Sequence, residues 1–325
     1  MKKMLVTGGC GFIGSNFINY VLENYDDISI VNIDSMTYAA DKHNIKYSNS
    51  FRYFHVDCDI RDYEHLRQGF LFYDFDYVVH FAAESHVDNS ISGPRIFIET
   101  NIVGTFNLLE CIREFWKNDS EKKFIHVSTD EVYGSLGETG KFTETTPYEP
   151  SSPYSASKAS ADHLSYAYFK TYGLPICITN CSNNYGPNQH EEKLIPKTIK
   201  RLINLQEVPI YGNGLNVRDW LYVEDHCSAI MRVLECGMEG QKYNIGGNEE
   251  HTNLEIIDTI GSFLFPDKSC YESLLKHVED RAGHDLRYAI DNSKNQLILD
   301  WKPKYTFKEG IEKTVDHYLE KWGKK

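Results

Sequence analysis

The chain is predicted to be an α/β protein, a doubly wound parallel sheet with a smaller α/β C-terminal substrate lobe. Three observations predict it. Short apolar runs alternate with helically spaced segments from Lys3 to Thr179. A glycine turn, Gly8-Gly9-Cys10-Gly11-Phe12-Ile13-Gly14, separates the first run from the first helical segment, and Asp34 closes the second run. After Asn183-Asn184-Tyr185-Gly186-Pro187, a turn-rich junction, the alternation loses its regularity.

Taken in order, Lys3 to Thr7 is the first strand, and Phe17, Val21 and Leu22 give Asn16 to Asn24 its helical period. Gly8, Gly11 and Gly14 permit a tight turn, close approach of backbone to a pyrophosphate, and close helix packing, while the helix N-terminus offers N–H donors to phosphate. This is the Rossmann arrangement. Ile28 to Ile33 is the second strand, and Asp34 after it would accept from both ribose hydroxyls and repel a 2′-phosphate, which favours NAD over NADP. Phe54 to Val56 is the third strand, with Asp59 and Ile60 placed to hold an adenine edge. Tyr77 to Phe81 is the fourth, followed by the small Ala82 and Ala83, against which a dinucleotide can lie, and by Ser85 and His86 pointing onward to substrate or, for His86, simply into a loop. Pro94 to Trp116 reads as one long helix with more apolar residues than one stripe needs, so it is expected either to meet a partner helix or to be fully buried. Phe124 to Val127, a helix from Ser155 to about Tyr172, and Leu174 to Thr179 complete the regular part.

Beyond Pro187 we expect a helix near Leu194 to Leu205, strands at Val208 to Tyr211 and Arg218 to Val223, a helix to about Leu234, a strand at Tyr243 to Ile245, and helices near Leu254 to Leu264 and Lys308 to Lys321. The organisation expected is a nucleotide-binding domain over 1–186, rejoined by segments near 217–247, and a lobe over 187–325. At 325 residues and a net charge of -13, without any Lys/Arg block, the chain argues against a nucleic-acid surface. MKKMLVTGG runs into a strand without an apolar leader, and no stretch is apolar enough to span a membrane, so a cytoplasmic protein is expected. The eight cysteines show no metal-ligand spacing; Cys177 and Cys181 are i,i+4 but lie in strand-like sequence, and no metal is expected.

The chemistry is concentrated between Phe124 and Lys158. Ser128 to Glu131 falls where a buried strand ends, the edge at which open α/β sheets bind ligands. Tyr154 and Lys158 are four apart, so on a helix they share a face, and an ammonium that close is expected to lower the phenol's pKa until it can take a proton from a sugar hydroxyl. The structural alternatives are a solvated Tyr/Lys pair, and for Asp130 and Glu131 a capping role on the following turn.

The words TGGCGFIG, HFAAESHVD, STDEVYG, SSPYSASKASADHL, TNCSNNYGP, EKLIP, RDWLYVEDH, YNIGG and DRAGHDLRYAID cover nearly the whole length. In them the chain resembles the extended short-chain dehydrogenases/reductases, and within these the nucleotide-sugar 4,6-dehydratases of the dTDP-glucose type. The first word and the YxxxK are shared across the superfamily, whereas Thr129-Asp130-Glu131 and DRAGHD mark the dehydratases. The resemblance implies an NAD-dependent hydro-lyase of deoxysugar (rhamnose) biosynthesis. Tyr154 would be the base for C4 oxidation, Lys158 would steady its phenolate and hold the nicotinamide ribose, and Thr129 would bind the C4 oxygen. Glu131 would remove the C5 proton. Asp130 would protonate the departing C6 oxygen, for which burial near another carboxylate must raise its pKa.

Carried over position by position, the resemblance implies that NAD meets Gly8, Gly11, Phe12, Ile13, Gly14, Asp34, Asp59, Ile60, Ala82, Ala83, Thr100, Tyr154, Lys158 and Asn184. It implies that the nucleotide sugar meets Ser85, Thr129, Asn183, Glu192, Lys193, Tyr211, Arg218, Asn253, Arg281, His284 and Tyr288, with Arg218 and Arg281 as diphosphate clamps. It also implies a homodimer through a four-helix interface of Pro94 to Trp116 and Ser155 to Tyr172. Three positions depart from the family pattern: Asn89 replaces an arginine, His190-Glu191 a Phe-Pro pair, and Ala282 a proline. The second lies beside the expected base pocket, so thymine and uracil both stay open as the base of the substrate. A 4-epimerase, which needs no Asp-Glu pair, and a non-catalytic NAD-sensing protein, which should have lost one of Asp130, Glu131, Tyr154 or Lys158, are the further alternatives.

Overall fold

A computed structural model describes residues 1–117, 119, 121–280 and 285–323. Twelve strands occur among them: β1 Lys2–Thr7, β2 Ile28–Asp34, β3 Tyr53–Asp57, β4 Tyr77–His80, β5 Lys123–Thr129, β6 Ile176–Cys181, β7 Asn183–Tyr185, β8 Val208–Tyr211, β9 Val217–Tyr222, β10 Lys242–Ile245, β11 Glu250–Thr252 and β12 Leu275–Val278. Seven form one sheet in the order β10-β6-β5-β4-β1-β2-β3. Every pairing in it is parallel. The strand order reverses between β1 and β4, and at such a switch point the loops leave the sheet in opposite directions and open a crevice.

Helices cover both faces, so the central strands are apolar on both sides. One face packs Phe17, Ile18, Val21 and Leu22 of helix Phe12–Asn24 and Ile230, Met231 and Leu234 of helix Val223–Cys236 against Met4, Ile30 and Ile125. The other packs Leu66 and Phe70 of helix Tyr63–Phe72, together with Leu108, Leu109 and Ile112 of helix Thr105–Trp116, against Leu5, Val78 and Phe124. Helix Pro153–Tyr172 starts at a complete capping box, with the Ser152 hydroxyl accepting from Ser155 N and Pro153 at its first turn, which sets where Tyr154 emerges. It stops at Gly173, at φ 68, a backbone state that suits glycine.

The region from Pro94 to Trp116 is helical but not one regular helix. Arg95–Phe97 is α-helical, Ile98–Gly104 is a π-helical stretch and Thr105–Trp116 is α-helical again. The wider turn turns Asn101 inward, where its amide bonds the Glu84 backbone and the Ser157 hydroxyl. Ile98 and Val103 of this stretch and Phe106 just after it are exposed at 46%, 44% and 42%, so full burial of this region within one chain, one of the two expectations, does not hold.

Of the segment near 217–247, β10 joins the large sheet beside β6, while β9 belongs to a separate sheet, β11-β9-β7, parallel to β7 and antiparallel to β11. A third core, built on Ile195, Ile199, Ile256, Ile260 and Ile311, holds the C-terminal elements together. No described helix is long and apolar enough to cross a membrane.

Candidate active site

The C-terminal ends of β1, β2, β4, β5 and β6 converge on one cavity of about 380 Å³. Gly8, Gly11, Phe12, Ile13, Gly14, Asp34, Asp59, Ile60, Ala82, Ala83, Thr100, Tyr154, Lys158 and Asn184 all line it, as do Ser85, Thr129, Asp130, Glu131, Asn183, Glu192 and Lys193. The expected cofactor positions are thus brought together by strand ends and the loops after them, with Asp59 and Ile60 following β3, Thr100 from the stretch Ile98–Gly104, and Tyr154 and Lys158 from helix Pro153–Tyr172.

The glycine turn fits a dinucleotide. Gly8 lies at φ +72, and a Cβ there would come within 2.6 Å of the Ala82 backbone nitrogen; at Gly11 a Cβ would meet only the Gly8 carbonyl, at 3.3 Å, and would stand in the cradle itself. Gly11 caps helix Phe12–Asn24 without any side-chain bond, so the first-turn N–H groups remain for an anion. Asp34 is buried and its two oxygens accept from Cys10 N at 2.8 Å and Met36 N at 2.9 Å. These bonds fix the carboxylate in the cavity wall with acceptor capacity left for ribose hydroxyls. Asp59 is held by Arg61 through a two-pronged bond. Asn184 is oriented from behind by His226: the imidazole is buried, its pKa pushed down by burial to about 3, and as a neutral ring its Nδ1 stands 2.8 Å from Asn184 Oδ1.

At the other end, β5 delivers Thr129 and runs into a 3₁₀ turn, Asp130–Tyr133. The cap of that turn is the Thr129 hydroxyl, which accepts from Glu131 N at 3.3 Å, so neither carboxylate is used as a cap. Asp130 is only 1% exposed; its Oδ1 accepts from the Thr129 hydroxyl at 3.3 Å and its Oδ2 is buried without a hydrogen-bond partner. Burial, then the charges of Glu131 and Asp219, hold the Asp130 carboxyl well above the usual carboxylate range, against the pull of Arg218 and Thr129. A carboxyl in that state is a proton donor at neutral pH.

Tyr154 departs from the expectation based on spacing. Burial first, then Glu131 and Cys181, push its phenol well above the ordinary value, opposed by the Thr129 hydroxyl. Lys158 does share its helix face, but the ammonium donates to the Val127 carbonyl at 2.8 Å rather than to the phenol. The chain by itself therefore keeps Tyr154 protonated, because desolvation outweighs an ammonium that is turned toward β5.

Of the remaining expected sugar contacts, Tyr211, Arg218, Asn253 and Tyr288 do not line this cavity. They sit on β8, on β9, at the start of helix Asn253–Leu264 and beyond the lobe's last strand. Arg218 is buried with its guanidinium 4.4 Å above the Tyr288 ring and donates to the carbonyls of Val217 at 2.8 Å and Asp285 at 2.9 Å. Arg281, Ala282 and His284 lie outside the described residues. His86 caps the short helix Val87–Ser92 through Nδ1, and Nε2 stands 3.6 Å from Glu192. His190, one of the departures from the family pattern, is equally near Glu192, at 3.6 Å, and its ring meets Tyr38 edge-on at 5.4 Å. His190, expected beside the base pocket, lines the cavity, and Cys181 and Gln189 line it without having been expected there.

Comparison with known proteins finds similar chains over nearly the whole length. The family model described as GDP-mannose 4,6 dehydratase matches residues 5–314. A dTDP-glucose 4,6-dehydratase of Xanthomonas campestris pv. campestris (strain B100) is 50% identical over 330 residues, covering 98% of this chain and 93% of that protein. The crystal structure of a dTDP-glucose 4,6-dehydratase from Bacillus anthracis str. Ames in complex with NAD superposes with a TM-score of 0.89 at 46% identity, covering 98% of this chain and 97% of the other. That of a dTDP-glucose 4,6-dehydratase from Streptomyces venezuelae, also with NAD bound, gives 0.93 at 43% identity, covering 99% and 98%.

Proposed function

Because the chain belongs to the GDP-mannose 4,6 dehydratase family, we propose that it is a hydro-lyase converting an NDP-glucose, with dTDP-glucose as first choice, to the NDP-4-keto-6-deoxyglucose. When bound, NAD supplies the hydride acceptor for C4, the donor for C6 and a positive ring that favours the phenolate. Tyr154 takes the proton of the C4 hydroxyl while Thr129 holds that oxygen. The C4 ketone acidifies the C5 hydrogen, which Glu131 removes, and Asp130 gives its proton to the departing C6 oxygen. The observation that carries this reading is the adjacent pair at the end of β5: a cavity-lining Glu131 beside Asp130, whose carboxyl is buried with Oδ2 unpartnered and whose pKa burial raises. A 4-epimerase returns hydride to the carbon it came from and has no use for such a pair.

The division of the chain at 186/187 into a cofactor domain and a sugar lobe is part of the same proposal. So is a homodimer: Ile98, Val103 and Phe106, exposed beside the cavity wall, and Tyr166 on helix Pro153–Tyr172, exposed at 44%, support a helical interface between copies. UDP-glucose is the second reading for the base, kept open by His190-Glu191 where the family has Phe-Pro; one methyl separates the two substrates, worth only about 1–3 kcal/mol in an apolar pocket. Incubating the purified protein with dTDP-glucose and UDP-glucose separately, without added NADH, should yield the 4-keto-6-deoxy product, more of it from dTDP-glucose. Conversion of UDP-glucose to UDP-galactose instead would defeat the dehydratase reading.

The state of Asp130 has a consequence in pH. Its proton is lost as pH rises through the raised pKa, so elimination should decline on the alkaline side while C4 oxidation continues. Asp130→Asn should slow elimination by roughly 10- to 100-fold and remove that alkaline decline. Rapid-quench measurement of C4 oxidation and of product across pH tests this, and an alkaline decline that survives in Asp130→Asn assigns the acid elsewhere.

A further inference from the structure

Helix Pro153–Tyr172 carries a third polar side chain in register with Tyr154 and Lys158. Asp162 stands four residues beyond Lys158, on the same face, and is 2% exposed. It is held on three sides. Asp162 Oδ2 accepts from the Tyr148 hydroxyl at 2.7 Å and from Asn180 Nδ2 at 3.1 Å. His126 Nε2 lies 3.1 Å from Oδ1, out of line for a straight hydrogen bond. The same Asn180 amide donates to the Thr129 carbonyl at 3.2 Å, and Lys158 donates to Val127 at 2.8 Å, so Asp162 and Lys158 are both moored to the strand that presents Thr129, Asp130 and Glu131.

The surroundings supply no other carboxylate that acts on Lys158 among the described residues. From β4 and β5, His80 and His126 are wholly buried, and burial holds both imidazoles below their ordinary range and neutral. From β6, burial pushes the Cys181 thiol up to about 12. Tyr133 and Tyr148, on the Asp162 side, are phenols raised by burial, and Tyr154 is neutral for the same reason. Lys242 of β10 adds a cation on the far side, 4.4 Å from the Tyr148 ring. Lys158 is thus a buried cation whose described hydrogen bond goes to an uncharged carbonyl; burial lowers its pKa, and Asp162, one helical turn away and not in contact with it, is the carboxylate that opposes this.

We propose that Asp162 is a positioning residue, the counter-ion that keeps Lys158 an ammonium inside the closed core so that Lys158 can favour the Tyr154 phenolate as the C4 hydroxyl gives up its proton. The proposal rests on the dehydratase reading for what the ammonium is used for. His126, Tyr148 and Asn180 aim the carboxylate, and Asp162 never touches substrate. A merely structural Asp162 would brace Tyr148 and Asn180 and leave the charge of Lys158 alone, and the two roles part in the titration of one atom.

The test is a pH titration of the Lys158 Nζ resonance in the full ¹⁵N-lysine-labelled protein, assigned by its loss in Lys158→Arg, in wild type, Asp162→Asn and Asp162→Glu. The expected result is a wild-type ammonium that persists at neutral pH, a midpoint lowered by more than about one unit (tenfold in the proton equilibrium) in Asp162→Asn, and recovery in Asp162→Glu. The alkaline limit of C4 oxidation should fall by the same amount in Asp162→Asn. An unmoved Nζ midpoint in folded Asp162→Asn overturns the proposal. So does a wild-type Lys158 that is already neutral near pH 7, an outcome that needs no variant to fold. If the midpoint moves as expected and no NDP-glucose is dehydrated, the counter-ion stands and the dehydratase reading falls.

Discussion

Replacing Glu131 by Gln should lower product formation by roughly 10²- to 10⁴-fold, equivalent to about 3–5 kcal/mol of lost transition-state stabilisation. The amide has the shape of the carboxyl but cannot accept the C5 proton, and the backbone bond from Glu131 N to the Thr129 hydroxyl, which fixes the turn, is untouched by the change. C4 oxidation should therefore persist. Mixing the variant with substrate should raise the reduced-nicotinamide absorbance without its later decay, and solvent deuterium should no longer enter C5. Wild-type rates of deuterium entry in Glu131→Gln would remove this residue from the mechanism. Replacement also takes a negative charge from beside Asp130, whose carboxyl Glu131 helps to keep protonated, so the alkaline decline of any residual elimination should shift to lower pH.

Tyr154→Phe should be as damaging, roughly 10²- to 10⁴-fold, but at the earlier step. The phenyl ring keeps the packing of Tyr154 against Phe97, where the rings meet at 6.3 Å, and Lys158 keeps its bond to Val127, so folding and dinucleotide binding are expected to survive. What is lost is the oxygen that takes the C4 proton. No transient reduced-nicotinamide signal and no C5 exchange should follow substrate addition. The pair of variants thus separates the two halves of the chemistry: Glu131→Gln stops after C4 oxidation, Tyr154→Phe before it. A Tyr154→Phe protein that still oxidises C4 at near wild-type rate would transfer the role of base to another group.

Much of the large sheet is legible in the sequence because its strands are buried on both faces and so appear as short, mostly apolar runs, as in Met4-Leu5-Val6 and, broken only by Ser29 and Asn32, Ile28 to Ile33. The short strands β7, β11 and β12 are not. Three or four residues are too few to display a period, and Asn183-Asn184-Tyr185 in particular has the composition of a turn; it is a strand because Trp220, Leu221 and Tyr222 of β9 lie alongside. The same limit hides the π-helical stretch Ile98–Gly104, whose residues suit an α-helix and whose wider turn follows from Asn101 reaching Glu84 and Ser157. Arg218 shows a third kind of limit. Its place in RDWLYVEDH makes it an expected phosphate contact, and what the sequence does not display is that the folded chain also engages it with the Val217 and Asp285 carbonyls.

By itself the sequence determined the glycine turn, the acidic end of β2, the adjacency of Asp130 and Glu131, and the shared helix face of Tyr154 and Lys158. All of these are local, set by residue type and by spacing within a single element. Only the tertiary structure decided the protonation each group carries. Desolvation and charge act through space: the Asp130 carboxyl is raised first because the core buries it and then by Glu131 beside it and Asp219 from far along the chain, and the Tyr154 phenol is raised because the core closes over it while Lys158 turns to Val127.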